Sequence, residues 1–428
     1  MAMSAGAATA VPLASSFPAS ALRAQFPALQ RAGAFIFFDN AAGAQVPQGV
    51  LDAVNQHLIE HNVQRGGRYP QSLAVDASIA RSRVQVAALL NARRPEEVAF
   101  GMNATSFIRL VSLAIGQSLG DRNEFILTDL DHEANVATWL VLERMGAKFL
   151  WWKIRDDGCL HTEDLEPLLS ARTRLVACAL ASNALGSIVD VRTAADMAHA
   201  VGAEIFLDSV HFSPHGPIDV QGLGCDYLVC SGYKVFSPHM GFLWGRYELL
   251  EQLPTFREDF IPDAPPGKIE AGTFIYENVA GMAAAVDYLA QLGRLLGGRG
   301  AAADPRTLRE DIRSAMTAIQ AYEQTLSLAL LHVLRASGAT IYGISADARV
   351  GERVPTVCFN LPGVAPAAVT EAAARAGIGI RDGHMYSPRL MKRLGLSVDS
   401  GAVRVSLVHY NTLGEIERFG ELLAQLRR

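Results

Sequence analysis

The middle of this sequence predicts an α/β fold built on a large, mainly parallel sheet, and its last third predicts a smaller α+β domain. Three observations carry this. Between about residues 95 and 245, short apolar runs alternate with stretches whose apolar residues recur every three or four positions, as strand–helix units do. Several of those runs end in a lone polar residue, as buried parallel strands do when they deliver side chains to one sheet edge. After about residue 296, strand and helix patterns mix without strict alternation.

Residues 20–29 read as a short entry helix. A strand over 34–38 runs through Asp39 into the small-residue turn Asn40-Ala41-Ala42-Gly43. Small side chains there let the backbone approach a ligand, although a plain tight turn reads the same locally. Residues 50–61 and 76–90 have helical spacing. A strand over 97–101 leads through the polar turn Met102 to Ser106 into an apolar helix over 107–119. Free N–H groups and a positive dipole end make such a turn a phosphate cradle, and any Asn or Thr helix cap has the same local appearance. A strand over 124–128 leads past His132 to a helix over 135–145. Strand 148–154 is followed by helix 162–169, and strand 175–181 by the turn around Asn183 and helix 192–201. With four prolines, residues 254–267 are a loop. Thr273 precedes a helix over 276–292, and 297–303 is a glycine-rich flexible tip. A long helix over 307–336, strands over 340–344, 356–360 and 403–406, and helices over 366–376 and 413–426 complete the chain.

The chemistry gathers between Phe206 and Gly245. The apolar run 205–207 ends in Asp208, and the run 227–230 ends in Ser231-Gly232-Tyr233-Lys234. Parallel strands would bring this acid and this amine to the same sheet edge. The pair suits pyridoxal 5'-phosphate: the lysine forms a Schiff base with the aldehyde, and the acid holds the ring-nitrogen proton. A surface lysine and a turn aspartate are the plain alternative.

The segments Asp208-Ser-Val-His211, Ser231-Gly-Tyr233-Lys234-Val-Phe-Ser-Pro238, "DNAA" over 39–42 and His132-Glu-Ala-Asn resemble the class V aminotransferases, and within them the cysteine desulfurase and selenocysteine lyase group. The family has Gln where this chain has His211, and His where it has Tyr233. The resemblance runs along nearly the whole chain. It implies the type I fold of pyridoxal-phosphate-dependent transferases, with a seven-stranded-type sheet. It implies that Lys234, Asp208 and His132 are catalytic, His132 stacking on the cofactor ring and shuttling protons. Asn103, Ala104 (through its backbone) and Thr105 would hold the phosphate. Asn183, His211, Ser231 and Tyr233 complete the cofactor contacts, and Thr273 would cross a homodimer interface to the neighbouring site. Ala41, Ala42, Asn183, Arg381, His384, Tyr386 and Arg404 would meet the substrate, Arg404 clamping its carboxylate in two-point geometry.

One departure bears directly on function. Desulfurases in this group carry a nucleophilic cysteine on a loop shaped R-x-G-H-x-C; here the loop reads Arg381-Asp-Gly-His384-Met-Tyr386. A phenol cannot form a persulfide. β-Elimination from a sulfur- or selenium-substituted alanine is therefore the first expectation, with transamination or epimerisation second and a catalytically silent cofactor-binding scaffold third.

Composition sets the remaining bounds. The chain has 428 residues, 19% of them charged, with a net charge of −5 and no basic block. That argues for an ordinary globular protein and against a nucleic-acid partner; the amino-acid substrate is what the resemblance implies. Five cysteines without C-x-x-C spacing read as buried free thiols in a reducing compartment. The first 22 residues lack charge and are broken by Pro12 and Pro18, unlike a secretory signal. No run reaches the roughly 18 apolar residues of a membrane span. The expectation is a cytoplasmic, metal-free enzyme. Its parts are a leader and entry helix (1–30), a large cofactor-binding domain (31–295), and a small domain (296–428) with the N-terminal segment packed beside it.

Overall fold

The computed structural model describes residues 17–270, 272–300, 304 and 306–426. Most of the expected leader and the end of the glycine-rich tip lie outside the described residues. The chain enters through β1 (Ile36–Phe37). Seven strands then build the large sheet: β2 (Val98–Gly101), β3 (Glu124–Thr128), β4 (Lys148–Trp152), β5 (Thr173–Ala179), β6 (Glu204–Asp208), β7 (Tyr227–Ser231) and β8 (Gly241–Gly245). Their spatial order is β2-β8-β7-β6-β5-β3-β4. The five strands β7, β6, β5, β3 and β4 run parallel, while β8 is antiparallel to both β7 and β2.

Helices on both faces bury the sheet. Phe100, Phe125, Phe206, Tyr227 and Phe242 on the strands, with Trp139 from a covering helix, are all but fully buried. Each such side chain stabilises the fold by about 1.5–3 kcal/mol. The helix Tyr276–Leu296 crosses to pack against Leu308–Ala336. The two approach so closely that a Cβ at Gly293 would collide with the Asp311 carbonyl.

The smaller C-terminal domain contains β9 (Thr340–Tyr342), β10 (Thr356–Asn360), β11 (Ile378–Gly379), β12 (Arg381–Gly383) and β13 (Ala402–Ser406). Four of these form an antiparallel sheet in the order β12-β13-β10-β9. The fifth, β11, pairs in parallel with β1, and Asp39 bridges to Ser406. The strand ahead of the "DNAA" turn is therefore stitched to the C-terminal part of the chain.

Most elements fall within a few residues of their expected positions. The expected helix over 135–145 tightens after Leu140 into a 3-10 turn, Val141–Met145. The entry helix is broken as well, into Ala19–Leu22, a tighter turn and Pro27–Arg31, because Pro27 can open a helix but not continue one. The short strands β8, β11 and β12 carry no strong local pattern, and they form because partner strands lie alongside. Among the described residues no helix is long and apolar enough to cross a membrane.

Candidate active site

The parallel strands end at one edge, where the sheet presents its polar residues. Asp208 closes β6, and Ser231 closes β7. A 3-10 turn, Gly232–Lys234, then carries the lysine back over the edge. Lys234 and Asp208 line one cleft together with Ala104, Thr105, His132, Asn183, His211, Ser231 and Tyr233. Residues drawn from separate strands and loops of the sequence thus meet in one place.

The amine of Lys234 is buried and forms no hydrogen bond or ion pair among the described residues; its Nζ lies 5.7 Å from the centre of the Tyr233 ring. Burial, with Arg404 nearby, lowers its pKa to about 8 against the pull of Asp208. Asp208 is also buried, and one of its oxygens accepts from the Val210 N–H at 2.9 Å. Burial raises its pKa, and Lys234 opposes that rise. A cation placed against this carboxylate would return it to the charged form.

The helix Ala104–Gly116 points its N-terminus into the cleft. Asn103 caps it, its Oδ1 accepting from the Ser106 N–H at 2.9 Å, so this side chain serves the helix. Ala104 N–H donates to Ser231 Oγ at 3.2 Å. Behind the turn, a Cβ at Gly241 would lie 2.6 Å from the Asn103 backbone, so only glycine lets β8 pass. The arrangement is a backbone cradle with a positive dipole end, suited to phosphate.

His132 accepts the Ala134 N–H on Nδ1 at 3.1 Å, and burial lowers its pKa to about 4. It is neutral at physiological pH. His211 is fully buried; its Nε2 lies 3.0 Å from Thr356 Oγ1, and burial keeps it neutral too. Asn183 is committed to the loop after β12: its Nδ2 donates to the Met385 carbonyl at 2.7 Å, and its Oδ1 accepts from Ser387 Oγ at 3.1 Å. One amide hydrogen and one lone pair remain for a ligand.

A second cleft shares His132, Asn183, Tyr233 and Lys234 with the first, and adds Ala41, Ala42, Arg381, Tyr386 and Arg404. Six of the seven residues expected to meet the substrate are thus gathered here. The seventh, His384, does not line this wall; its Nδ1 accepts the Tyr386 N–H at 3.0 Å and shapes the loop. Met385 and Tyr386 both have left-handed backbone angles, φ 53° and 58°. Tyr386 lies with its ring 5.6 Å from that of His132, and its carbonyl accepts the Glu133 N–H at 2.8 Å. Thr273 lies outside both clefts of its own chain and receives a hydrogen bond from Gln64 Nε2.

Sequence reasoning left Asp39 without a role. It accepts from Arg404 Nη2 at 3.0 Å and from Arg381 Nε and Nη2 at 3.0 and 2.9 Å. Its signal was an acid closing an apolar strand just before the small-residue turn. Also unforeseen was the pairing of Arg404 Nη1 with the Asn183 carbonyl at 2.9 Å.

These residues fit pyridoxal phosphate. An unpaired buried amine and a buried acid share one cleft with a helix start suited to an anion and with a neutral imidazole. Comparison with known proteins agrees. The family model for aminotransferase class-V matches residues 36–295 and 308–419. The aminotransferase-like protein FGM3 of Gibberella zeae is 37% identical over 417 residues, 94% of this chain and 97% of that protein. A cysteine desulfurase of Synechococcus elongatus is 33% identical over 428 residues, 95% of this chain and 63% of that protein. The apo structure of a cysteine desulfurase from Thermococcus onnurineus NA1 superposes with a TM-score of 0.83 at 25% identity, covering 98% of this chain and 99% of that one. The chain belongs to the class V aminotransferase family, and it is a pyridoxal 5'-phosphate-dependent enzyme.

Proposed function

We propose that this enzyme releases the β-substituent of a sulfur- or selenium-substituted alanine by elimination, without carrying sulfur on a cysteine of its own. The loop 383–387 is the observation that supports this reading. It presents Tyr386 at the substrate wall, and all five cysteines are buried elsewhere. Cys358 sits on β10 opposite Arg404, where burial pushes its thiol up to about 12, far from a usable thiolate.

When bound, pyridoxal phosphate supplies an electron sink for the pair released as the Cα–H bond breaks. Lys234 would hold its aldehyde, Asp208 its ring nitrogen, and His211 and Asn183 its ring oxygen. The turn at Asn103, Ala104 and Thr105, with Ser231 and Tyr233 nearby, would hold the phosphate. Arg404 anchors the substrate carboxylate, which fixes the direction of the Cα–H bond. Lys234, its pKa lowered to about 8, takes the Cα proton. His132, neutral, packs over the site and leaves the cleft's positive charge to the arginines. The Tyr386 hydroxyl, 3.4 Å from Arg381 Nη1, delivers a proton to the departing sulfur or selenium as the bond to Cβ breaks.

We infer an obligate homodimer in which Thr273 reaches the phosphate of the second copy. Phe256 and Phe260, 94% and 80% exposed on the loop before Thr273, are large apolar residues that a partner would cover. A cytoplasmic setting suits five reduced thiols.

Transamination or epimerisation is the second reading, and the similarity to an aminotransferase-like protein supports it. A silent scaffold is the third, opposed by the retention of Lys234, Asp208, His132 and Asn183. A screen of amino acids separates them. Pyruvate with ammonia and sulfide supports elimination; a new amino acid formed from a keto acid supports transamination; inertness to every amino acid supports the scaffold. Tyr386→Phe should slow elimination, and unchanged turnover would remove its proton-donor role.

A further inference from the structure

The substrate wall holds more cation than a substrate carboxylate needs, and Asp39 corrects the excess. Two guanidiniums, Arg381 and Arg404, face this wall. Asp39 bridges them: its Oδ1 accepts from Arg404 Nη2 at 3.0 Å and from Arg381 Nε at 3.3 Å, and its Oδ2 accepts from Arg381 alone. Arg404 is only 2% exposed, its Nη1 is taken by the Asn183 carbonyl, and its Nε is buried without a partner. The remaining wall residues add no fixed charge: Tyr233 and Tyr386 are phenols, His132 is kept neutral, and Lys234 is the cofactor's anchor. One positive charge is left over, enough for one carboxylate. A second acid on the substrate would find no free cation and would approach Asp39 itself.

We propose that Asp39 is a specificity-determining residue: by neutralising one of the two arginines, it leaves the site a single carboxylate's worth of positive charge and turns away dicarboxylic amino acids. The inference rests on Arg404 as the anchor of the substrate carboxylate.

The test titrates the cofactor-loaded enzyme with two unreactive probes, propionate and succinate, by calorimetry. The wild type should bind propionate in preference. Asp39→Asn, which leaves two uncompensated cations, should shift the ratio towards succinate by about tenfold, the order expected for one partly screened charge at close range. The double variant Asp39→Asn with Arg381→Gln restores a single excess charge and should return the wild-type ratio. A ratio unmoved by Asp39→Asn overturns the proposal. Should that variant not fold, Arg381→Gln alone decides, since its site is half-exposed: propionate should weaken about tenfold, and unchanged binding overturns the proposal. Arg404→Lys tests the foundation separately. If it leaves both probes unaffected, the carboxylate anchor itself is misassigned, whatever Asp39 does.

Discussion

Replacing Asn183 by Ala should release the loop that carries Tyr386. The substitution removes two hydrogen bonds, to the Met385 carbonyl at 2.7 Å and from Ser387 Oγ at 3.1 Å. Both loop residues are buried, so their groups would be left unsatisfied at about 1–3 kcal/mol each. The loop is also held against its own backbone preference. Met385 and Tyr386 sit in left-handed conformations, which cost roughly 1–2 kcal/mol apiece for residues with a side chain. With the clamp gone, opening should become easier by about 3 kcal/mol, which accelerates exchange roughly a hundredfold at amides whose protection depends on closure. Two amides report it: Glu133 N–H, bonded to the Tyr386 carbonyl, and Ser387 N–H, bonded to the His384 carbonyl at 2.8 Å. Hydrogen exchange measured on the cofactor-free protein keeps the reading independent of catalysis. Exchange at both amides within about threefold of wild type, below 1 kcal/mol, would refute the argument that Asn183 holds this loop.

Three further outcomes are expected. Capture of added pyridoxal phosphate by the cofactor-free protein should speed up with pH, about tenfold per unit, and level off near pH 8, because only the neutral amine of Lys234 attacks; a rate still climbing at pH 10 would place the titrating amine elsewhere. Gly241→Ala should lower stability by about 1–3 kcal/mol and loosen cofactor retention, because the new Cβ would press on the Asn103 turn; equilibrium dialysis and thermal unfolding check both. Iodoacetamide should leave the native enzyme unlabelled and fully active, since every cysteine is buried and, for Cys159, Cys230 and Cys358, burial pushes the thiol up to about 11 or 12; stoichiometric labelling with loss of turnover would revive a cysteine mechanism.

What the sequence makes legible is whatever local pattern encodes. The polar endings of β6 and β7 announce Asp208 and Lys234, because a buried parallel strand has nowhere else to put a charge. The turn before Ala104 announces an anion cradle, since a capped helix start carries its own field. Asp39 stays silent because its meaning lies in Arg381 and Arg404, more than 340 positions away. Asn183 shows the same limit. An asparagine after a strand reads as a ligand contact or a turn, and only the fold reveals that its amide holds Met385 and Ser387. The strands β11 and β12 escape notice for a related reason: two or three residues pair only because β1 and β13 are already there.

The joining of Asp39 and β1 to the last strands also governs when the enzyme can become complete. Lys234, Asp208 and the turn at Asn103 are translated long before Arg381 and Arg404 emerge, so Asp39 waits for both of its guanidinium partners until the chain is nearly complete. A product terminated before β12 would therefore keep Asp39 with neither of the guanidiniums that neutralise it.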